Sequence, residues 1–330
     1  MVNIIRFINL RKHKNSKFIY YLKNLIRYYT PKIFLRKKFS CILAQLSKQN
    51  EKHILDRVNY YNKLDKVISV SNKMIPLLEF KRPKKKKGQS ANSSYFFDSY
   101  QYTRYFSNSL KVAFLFGDVM HVPEIPSITK SRPINGNNIN SVILNLDKVR
   151  HFMFIKDHRV FRNKKDMLVG RAYVAQPHRI RFWEMYFNHP LCNLGQINTI
   201  HTAHPEWITK PMSINEHLKY KFILCIEGND VATNLKWVMS SNSLAVMPQP
   251  HYETWFMEGR LIPNYHYVEI KADYSDLEDR LTYYMHHVDE AMQIIENAHQ
   301  YIAQFRDKKR EDFISLLTLQ KYFQQTGQLR

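Results

Sequence analysis

Residues 222–246, FILCIEGNDVATNLKWVMSSNSLAV, combine residue types that can hold an anion. An apolar run ends at Glu227 and Gly228, and a helix-compatible stretch follows from Val231. A strand that turns into a helix leaves backbone N–H groups unpaired at the helix start, and the helix dipole adds positive potential there. Gly228 would let a ligand approach the backbone closely. Asn229, Thr233 and Asn234 add polar reach, and Lys236 adds a charge. The same spacing also fits an ordinary strand–helix connection in which Asp230 caps the helix. Upstream, Arg171 and Arg179 bracket residues 172–178, just ahead of or within a helical first turn. Guanidinium forks suit diphosphate oxygens, although arginines of a basic chain are also common surface residues. Asp118 follows the apolar run KVAFLF (residues 111–116) and Gly117. A carboxylate at the carboxyl end of a strand can act as a general base, and Asp is equally at home capping a turn.

Several other chemistries lack their residues. His201 and His204 are three apart, but no third ligand follows at zinc spacing and Pro205 interrupts any helix. There is no serine nucleophile elbow, no catalytic Cys–His signature and no short Asp-x-Asp metal motif. With 8 glycines in 330 residues, neither a P-loop nor a dinucleotide fingerprint can be assembled. A bound phosphate would thus be neutralised by side-chain cations and helix ends, with no metal and no cofactor expected.

The elements that must position these residues follow from periodicity. Residues 17–64 read as helices, with Ile19, Leu22, Leu25 and Ile26 at helical spacing, Pro31 as a break, and a further helix over residues 42–64. The charged run at residues 81–88 and the polar residues 89–94 read as an exposed loop. Residues 111–116 form a buried strand, with shorter strands at 141–146, 151–154 and 167–169. Residues 177–187 read as a helix with Pro177 in its first turn. Ser213 and Glu216 form a capping-box pattern, as do Ser275 and Glu278, the latter opening a long helix through Leu277, Leu281, Met285, Val288, Met292 and Ile295. Strands at 222–226 and 244–247 flank a helix at 231–240. Strands alternating with helices predict an α/β fold with largely parallel sheets.

Composition sets the surroundings. Apolar residues at 44% and aromatics at 14% suffice for a large core. Three distant cysteines, Cys41, Cys192 and Cys225, suit a reducing compartment. Residues 1–10 carry too short an apolar run for a signal peptide, and no stretch reaches the roughly 18 apolar residues of a membrane span. The expectation is a cytoplasmic, non-spanning protein. Its charge of +22 is uneven. Residues 1–87 hold 23 Lys and Arg against 4 Asp and Glu, a net of +19, and the remainder nets +3. Such a segment, with Lys84, Lys85, Lys86 and Lys87 at its end, could hold the chain on an anionic membrane or be a solvated basic surface. Aromatics between its cations, such as Tyr20, Tyr21, Tyr28 and Tyr29, also allow a nucleic-acid-binding reading, but no nucleic-acid signature accompanies them.

The stretch KYKFILCIEGNDVATNLKWVMSSNSLAVMPQPHYETWFMEGRLIPNYHYVEIKADYSDLEDRL (residues 219–281) resembles glycosyltransferase family 90. The resemblance extends upstream through LVGRAYVAQPHRIRFWEMYFNHPLC (168–192) and KVRHFMFIKD (148–157), and it is strongest to the lipopolysaccharide core branch. It implies a GT-B-like architecture of two Rossmann-like domains, with a basic helical N-terminal segment and a long C-terminal helix. The expected division is 1–87, an acceptor-side domain at 88–165 and a donor-binding domain at 166–330. It further implies metal-independent, inverting transfer of a hexose from a UDP-sugar to a lipid-linked oligosaccharide, at the inner face of a bacterial inner membrane. Arg171 and Arg179 match the family's Arg-Gly-x6-Arg pattern, with Ala172 in the glycine's place. Glu227, Gly228 and Asn229 match its acidic or polar residue before glycine, and Asn234 stands where many relatives have an arginine. Lys236 or Arg179 would then have to supply that contact. GDVMHVPEIP (117–126) places Asp118 where animal members carry a catalytic aspartate. Transfer to a protein or a capsular polymer is the alternative within the family, and a basic nucleic-acid-binding protein the alternative outside it.

Overall fold

A computed structural model describes residues 15–32, 35, 51–83, 93–200 and 202–329. Helices run at Lys17–Tyr29 (α1), Glu51–Tyr61 (α2), Ser93–Thr103 (α3), Lys148–His151 (α4), Pro177–Tyr186 (α5), Ile214–His217 (α6), Leu235–Met239 (α7), Leu277–His286 (α8), Val288–Ala303 (α9) and Lys308–Gln325 (α10). Strands lie at Ile75–Pro76 (β1), Lys111–Val112 (β2), Phe114–Leu115 (β3), Ser127–Thr129 (β4), Ser131–Pro133 (β5), Ser141–Ile143 (β6), Lys165–Ala172 (β7), Cys192–Gln196 (β8), Tyr220–Leu224 (β9), Leu244–Met247 (β10), Tyr252–Thr254 (β11) and Val268–Glu269 (β12). The result is a mixed α/β fold with parallel sheets.

The chain divides into two compact units. One comprises Arg150–Pro250 and Glu258–Gln304. The other comprises Ser16–Val149, His251–Met257 and Phe305–Arg330. The division falls at residue 150, and the segments His251–Met257 and Phe305–Arg330 return to the unit of Ser16–Val149.

The first unit is built on a five-stranded, all-parallel sheet in the order β12-β10-β9-β7-β8. Strands β9 and β10 are buried at every residue, as parallel strands covered on both faces must be. On one face Leu168, Leu194, Phe222, Leu224, Leu244 and Val246 meet Phe182, Trp183 and Tyr186 of α5 and Leu277 and Leu281 of α8. The Ser213–Glu216 capping box forms. Ser213 Oγ accepts from the Glu216 N–H at 3.2 Å, and Glu216 Oε2 accepts from the Ser213 N–H at 2.5 Å.

The second unit carries a three-stranded parallel sheet, β3-β4-β6, and two antiparallel pairs, β1 with β2 and β5 with β11. Its aromatic cluster joins Phe96, Phe97 and Tyr100 of α3 to Tyr21, Leu25, Tyr28 and Phe80. Ser93–Thr103 escapes a periodicity argument because eight of its eleven residues are buried, so no polar face marks it as a helix.

Several elements differ from expectation. Residues 111–116 are two short strands because the run changes partner, β2 pairing antiparallel with β1 and β3 parallel with β4. Residues 151–154 are not a strand, since α4 ends at His151 and coil follows. The second capping box does not form. Asp273 accepts the Ser275 N–H and hydroxyl instead, and Asp276 becomes the N-cap of α8. The expected single helix breaks at His287, with ψ of 63°, into α8 and α9. The helix expected over 231–240 shrinks to the five residues of α7. Of the helix expected over 42–64, the described part ends at Tyr61.

Candidate functional site

The order of the five-stranded sheet reverses at β7. The chain crosses through α5 to β8 on one side of β7 and then returns to β9 on the other side. The crevice between the β7 and β9 exits is therefore a topological switch point, the place where open α/β sheets take ligands. Arg179, in the first turn of α5, fills it. Its Nε donates to the Glu227 carbonyl at 2.7 Å, its Nη2 to the Ile226 carbonyl at 3.0 Å and its Nη1 to the Tyr173 carbonyl at 2.8 Å. One guanidinium so clamps the exits of two neighbouring strands.

The electrostatics of this clamp follow from its partners. All three are neutral carbonyls, so no carboxylate hydrogen-bonds the half-buried cation. Burial pushes the Arg179 guanidinium down from 12.5 to about 10, opposed in part by Tyr274 and Glu227. The helix end adds the same sign, because the Gln176 N-cap makes no side-chain cap bond and the first turn contains no acid. His178 Nε2 lies 2.8 Å from the Glu227 carbonyl, which makes that nitrogen the donor. Gln176 Nε2 donates to Asn229 Oδ1 at 3.1 Å, joining the two loops again.

Gly228 has a local reason to be glycine. A Cβ there would stand 3.3 Å from Arg179 Nη2. Asn229 is exposed, Glu227 and Thr233 are half-buried, and Asp230 is buried. Asn234 is the N-cap of α7, and its Nδ2 donates to the Leu224 carbonyl at 2.8 Å. It ties the helix start to the end of β9.

Lys236 has a different role from the one expected. Every residue of α7 is buried, and Lys236 pairs at 2.8 Å with Glu258, also buried. Its charge is committed inside the unit and is not presented at the Gly228 turn. Arg171 is likewise tied down. It donates to the Asn193 carbonyl at 2.8 Å, to Asn193 Oδ1 at 2.8 Å and to the Gly170 carbonyl at 2.9 Å. Desolvation lowers its pKa, with Tyr220 and Glu216 opposing.

In the second unit, Asp118 lies beyond the carboxyl end of β3, after Gly117 at φ 117°. The nearly buried Lys130, just past the neighbouring parallel strand β4, meets Asp118 Oδ1 at 2.5 Å. Ser131 Oγ accepts from the Val119 N–H at 3.2 Å and holds the same turn. The carboxylate, about one-third exposed, is oriented by this cation.

Residues 188–324 match the model of glycosyl transferase family 90. Over 270 residues, 82% of this chain and 82% of the relative, the sequence is 44% identical to O-glucosyltransferase LpsA of Dichelobacter nodosus. The chain belongs to glycosyltransferase family 90.

For this glycosyltransferase, the structure sorts the expected site residues into groups. Arg179, Glu227, Gly228 and Asn229 come together at the β7–β9 switch point. Arg171 does not join them. It alternates with Gly170 and Ala172 along β7 and so leaves the sheet on the face opposite the one that α5 covers. Lys84, Lys85, Lys86 and Lys87 lie outside the described residues. Sequence reasoning missed His178 and Gln176, whose only signal is that they flank Pro177 beside Arg179. It also missed Lys130, twelve residues from Asp118, because pairing across parallel strands leaves no local spacing signature. Among the described residues, no group of three or more His, Cys, Asp and Glu is gathered as a metal site.

Proposed function

We propose that this glycosyltransferase moves a hexose from a UDP-sugar to a hydroxyl of a lipopolysaccharide core or related lipid-linked glycan. The observation that carries the donor half is the Arg179 cation at the β7–β9 switch point, desolvated and served only by carbonyls. A diphosphate there would add counter-charge in direct contact and accept from the two N–H groups of the fork that the carbonyls leave over. The α5 N-terminus favours the same charge. Glucose is the first donor to test, since the relative is named an O-glucosyltransferase. The lipopolysaccharide acceptor, the GT-B-type architecture and inversion rest on the family resemblance.

In the proposed reaction the acceptor oxygen attacks the anomeric carbon as the bond to the UDP β-phosphate oxygen breaks. Asp118 takes the acceptor proton, and UDP leaves with the bonding electron pair. Arg179 and the α5 end stabilise the charge that grows on the leaving phosphate, the electrostatic assistance that usually carries most weight. Metal independence is part of the proposal, with these fixed positive groups as the neutralising charge.

UDP titration tests the donor half. UDP should raise the Tm of the folded protein, while an oligonucleotide of equal charge should not. Gly228→Ala places a methyl group 3.3 Å from Arg179 Nη2, so it should weaken UDP binding several-fold with little change in Tm. Arg179→Lys cannot span three carbonyls, so it should weaken UDP binding at least tenfold and also lower Tm. No protection of the wild-type protein by millimolar UDP would remove the switch point as a donor site.

A further inference from the structure

One face of α1 is unlike the rest of the described surface. Phe18 is 77% exposed, Tyr29 75%, Ile26 61%, Ile19 50% and Leu22 46%. At 100° per residue these five side chains fall within an arc of about 100°, the width of a helix face that is normally buried. The opposite face is already used. Tyr20 donates to Asp98 Oδ1 at 2.8 Å, and Tyr21 and Tyr28 make ring contacts with Phe97, Phe96 and Tyr100 of α3. Arg104 fixes the far end through the carbonyls of Arg27 and Thr30, at 2.6 and 2.9 Å. So the helix is held with its apolar stripe outward and cannot roll to hide it.

Charge decides what fits the stripe. Lys23 is exposed beside it, Lys17 is exposed at the helix start, and residues 1–87 as a whole net +19. A second copy of the same surface would be repelled. An anionic bilayer offers acyl chains for the stripe and headgroup charge for the lysines. Thirteen residues make a helix of about 20 Å, too short to span, and no described helix is long and apolar enough to cross a membrane.

We propose that α1 lies in the plane of an anionic membrane surface with Phe18, Ile19, Leu22, Ile26 and Tyr29 inserted among the acyl chains. This deepens the reading of a lipid-linked acceptor, since it names the element that would bring the enzyme to that acceptor's surface.

The full-length protein tests it with vesicles of phosphatidylglycerol and phosphatidylethanolamine. All four native tryptophans are buried, so Phe18→Trp adds a reporter that can be told from them. Lipids brominated on the acyl chains should quench that reporter, and phosphatidylcholine vesicles alone should do so weakly. Leu22→Ser with Ile26→Ser, both at exposed positions, should reduce co-sedimentation about tenfold while Tm and UDP protection stay unchanged. Three results would overturn the proposal. The reporter could stay unquenched although the protein sediments, the double variant could sediment like the parent, or the reporter could already be shielded from acrylamide without vesicles, covered by another segment or a second copy. Loss of UDP protection with vesicle binding retained would instead sink the proposed UDP-sugar donor site and leave this one standing.

Discussion

At the scale of single residues, the basic side chains of this enzyme show how little residue type alone decides. Arg179, Arg171 and Lys236 all qualify on paper as phosphate contacts. Lys236 meets a buried carboxylate and becomes a structural ion pair. Arg171 is spent tying β7 to β8 through Asn193. Arg179 hydrogen-bonds only to carbonyls, and Glu227 and Tyr274 offset its desolvation only in part, so its pKa stays lowered at a strand end. Asp118 is the complementary case, a carboxylate held in place by Lys130. If it is the general base, Asp118→Asn should lower transfer about 10²–10⁴-fold, while UDP protection stays as in the parent. Turnover within tenfold of wild type would take Asp118 out of the mechanism. That close approach needs the glycine at 228 was legible in the order Glu-Gly-Asn, but the arginine it accommodates comes from 49 positions upstream and was not.

At the scale of elements, β9, β10 and α5 were readable because continuous apolar runs and a proline at a helix start act locally. Misreadings arose where a neighbour intervened. Residues 111–116 look like one strand until two different partners divide them. The helix expected from Val231 starts only at Leu235 and is a single buried turn and a half, whereas α5 brings nearly three turns to the same sheet. Close packing of elements sets the cost of change. A Cβ at Gly195, on β8, would collide with Thr209 Oγ1, come 2.8 Å from Thr209 Cβ and 3.0 Å from Arg171 Cδ. Gly195→Ala should therefore cost about 1–3 kcal/mol, read as a lower urea midpoint. An unchanged midpoint would mean that the β8 edge yields without strain.

At the scale of the whole molecule, each unit is assembled from distant parts of the chain. Arg57 of α2 donates to both oxygens of Glu311 in α10, at 2.5 and 2.8 Å, and Trp255 Nε1 donates to the same carboxylate at 2.6 Å. Tyr61 stacks on Trp255 with ring centroids 3.8 Å apart. Three segments that are far apart in sequence thus close one interior. A buried guanidinium stripped of its partner is costly, so Glu311→Leu should destabilise by about 3–5 kcal/mol, measured by equilibrium denaturation. A loss below 1 kcal/mol would show that apolar packing, not the ion pair, holds these segments. No periodicity argument could have found this closure, since it joins positions 57, 255 and 311.

The sequence by itself determined the family, the parallel α/β character, the strand and helix that flank the donor candidate, and the concentration of positive charge in residues 1–87. These are properties of composition, local order and period, and they survive without knowledge of neighbours. Tertiary structure decided the rest. Strand order placed the switch point between β7 and β9, packing buried Lys236 against Glu258, and the pleat sent Arg171 away from Arg179. It also left the apolar face of α1 outward, because α3 had already taken the other face. The reason is the same in each case. What a charged or apolar side chain does depends on the partner it meets and on whether water remains, and both are set by residues remote in the chain.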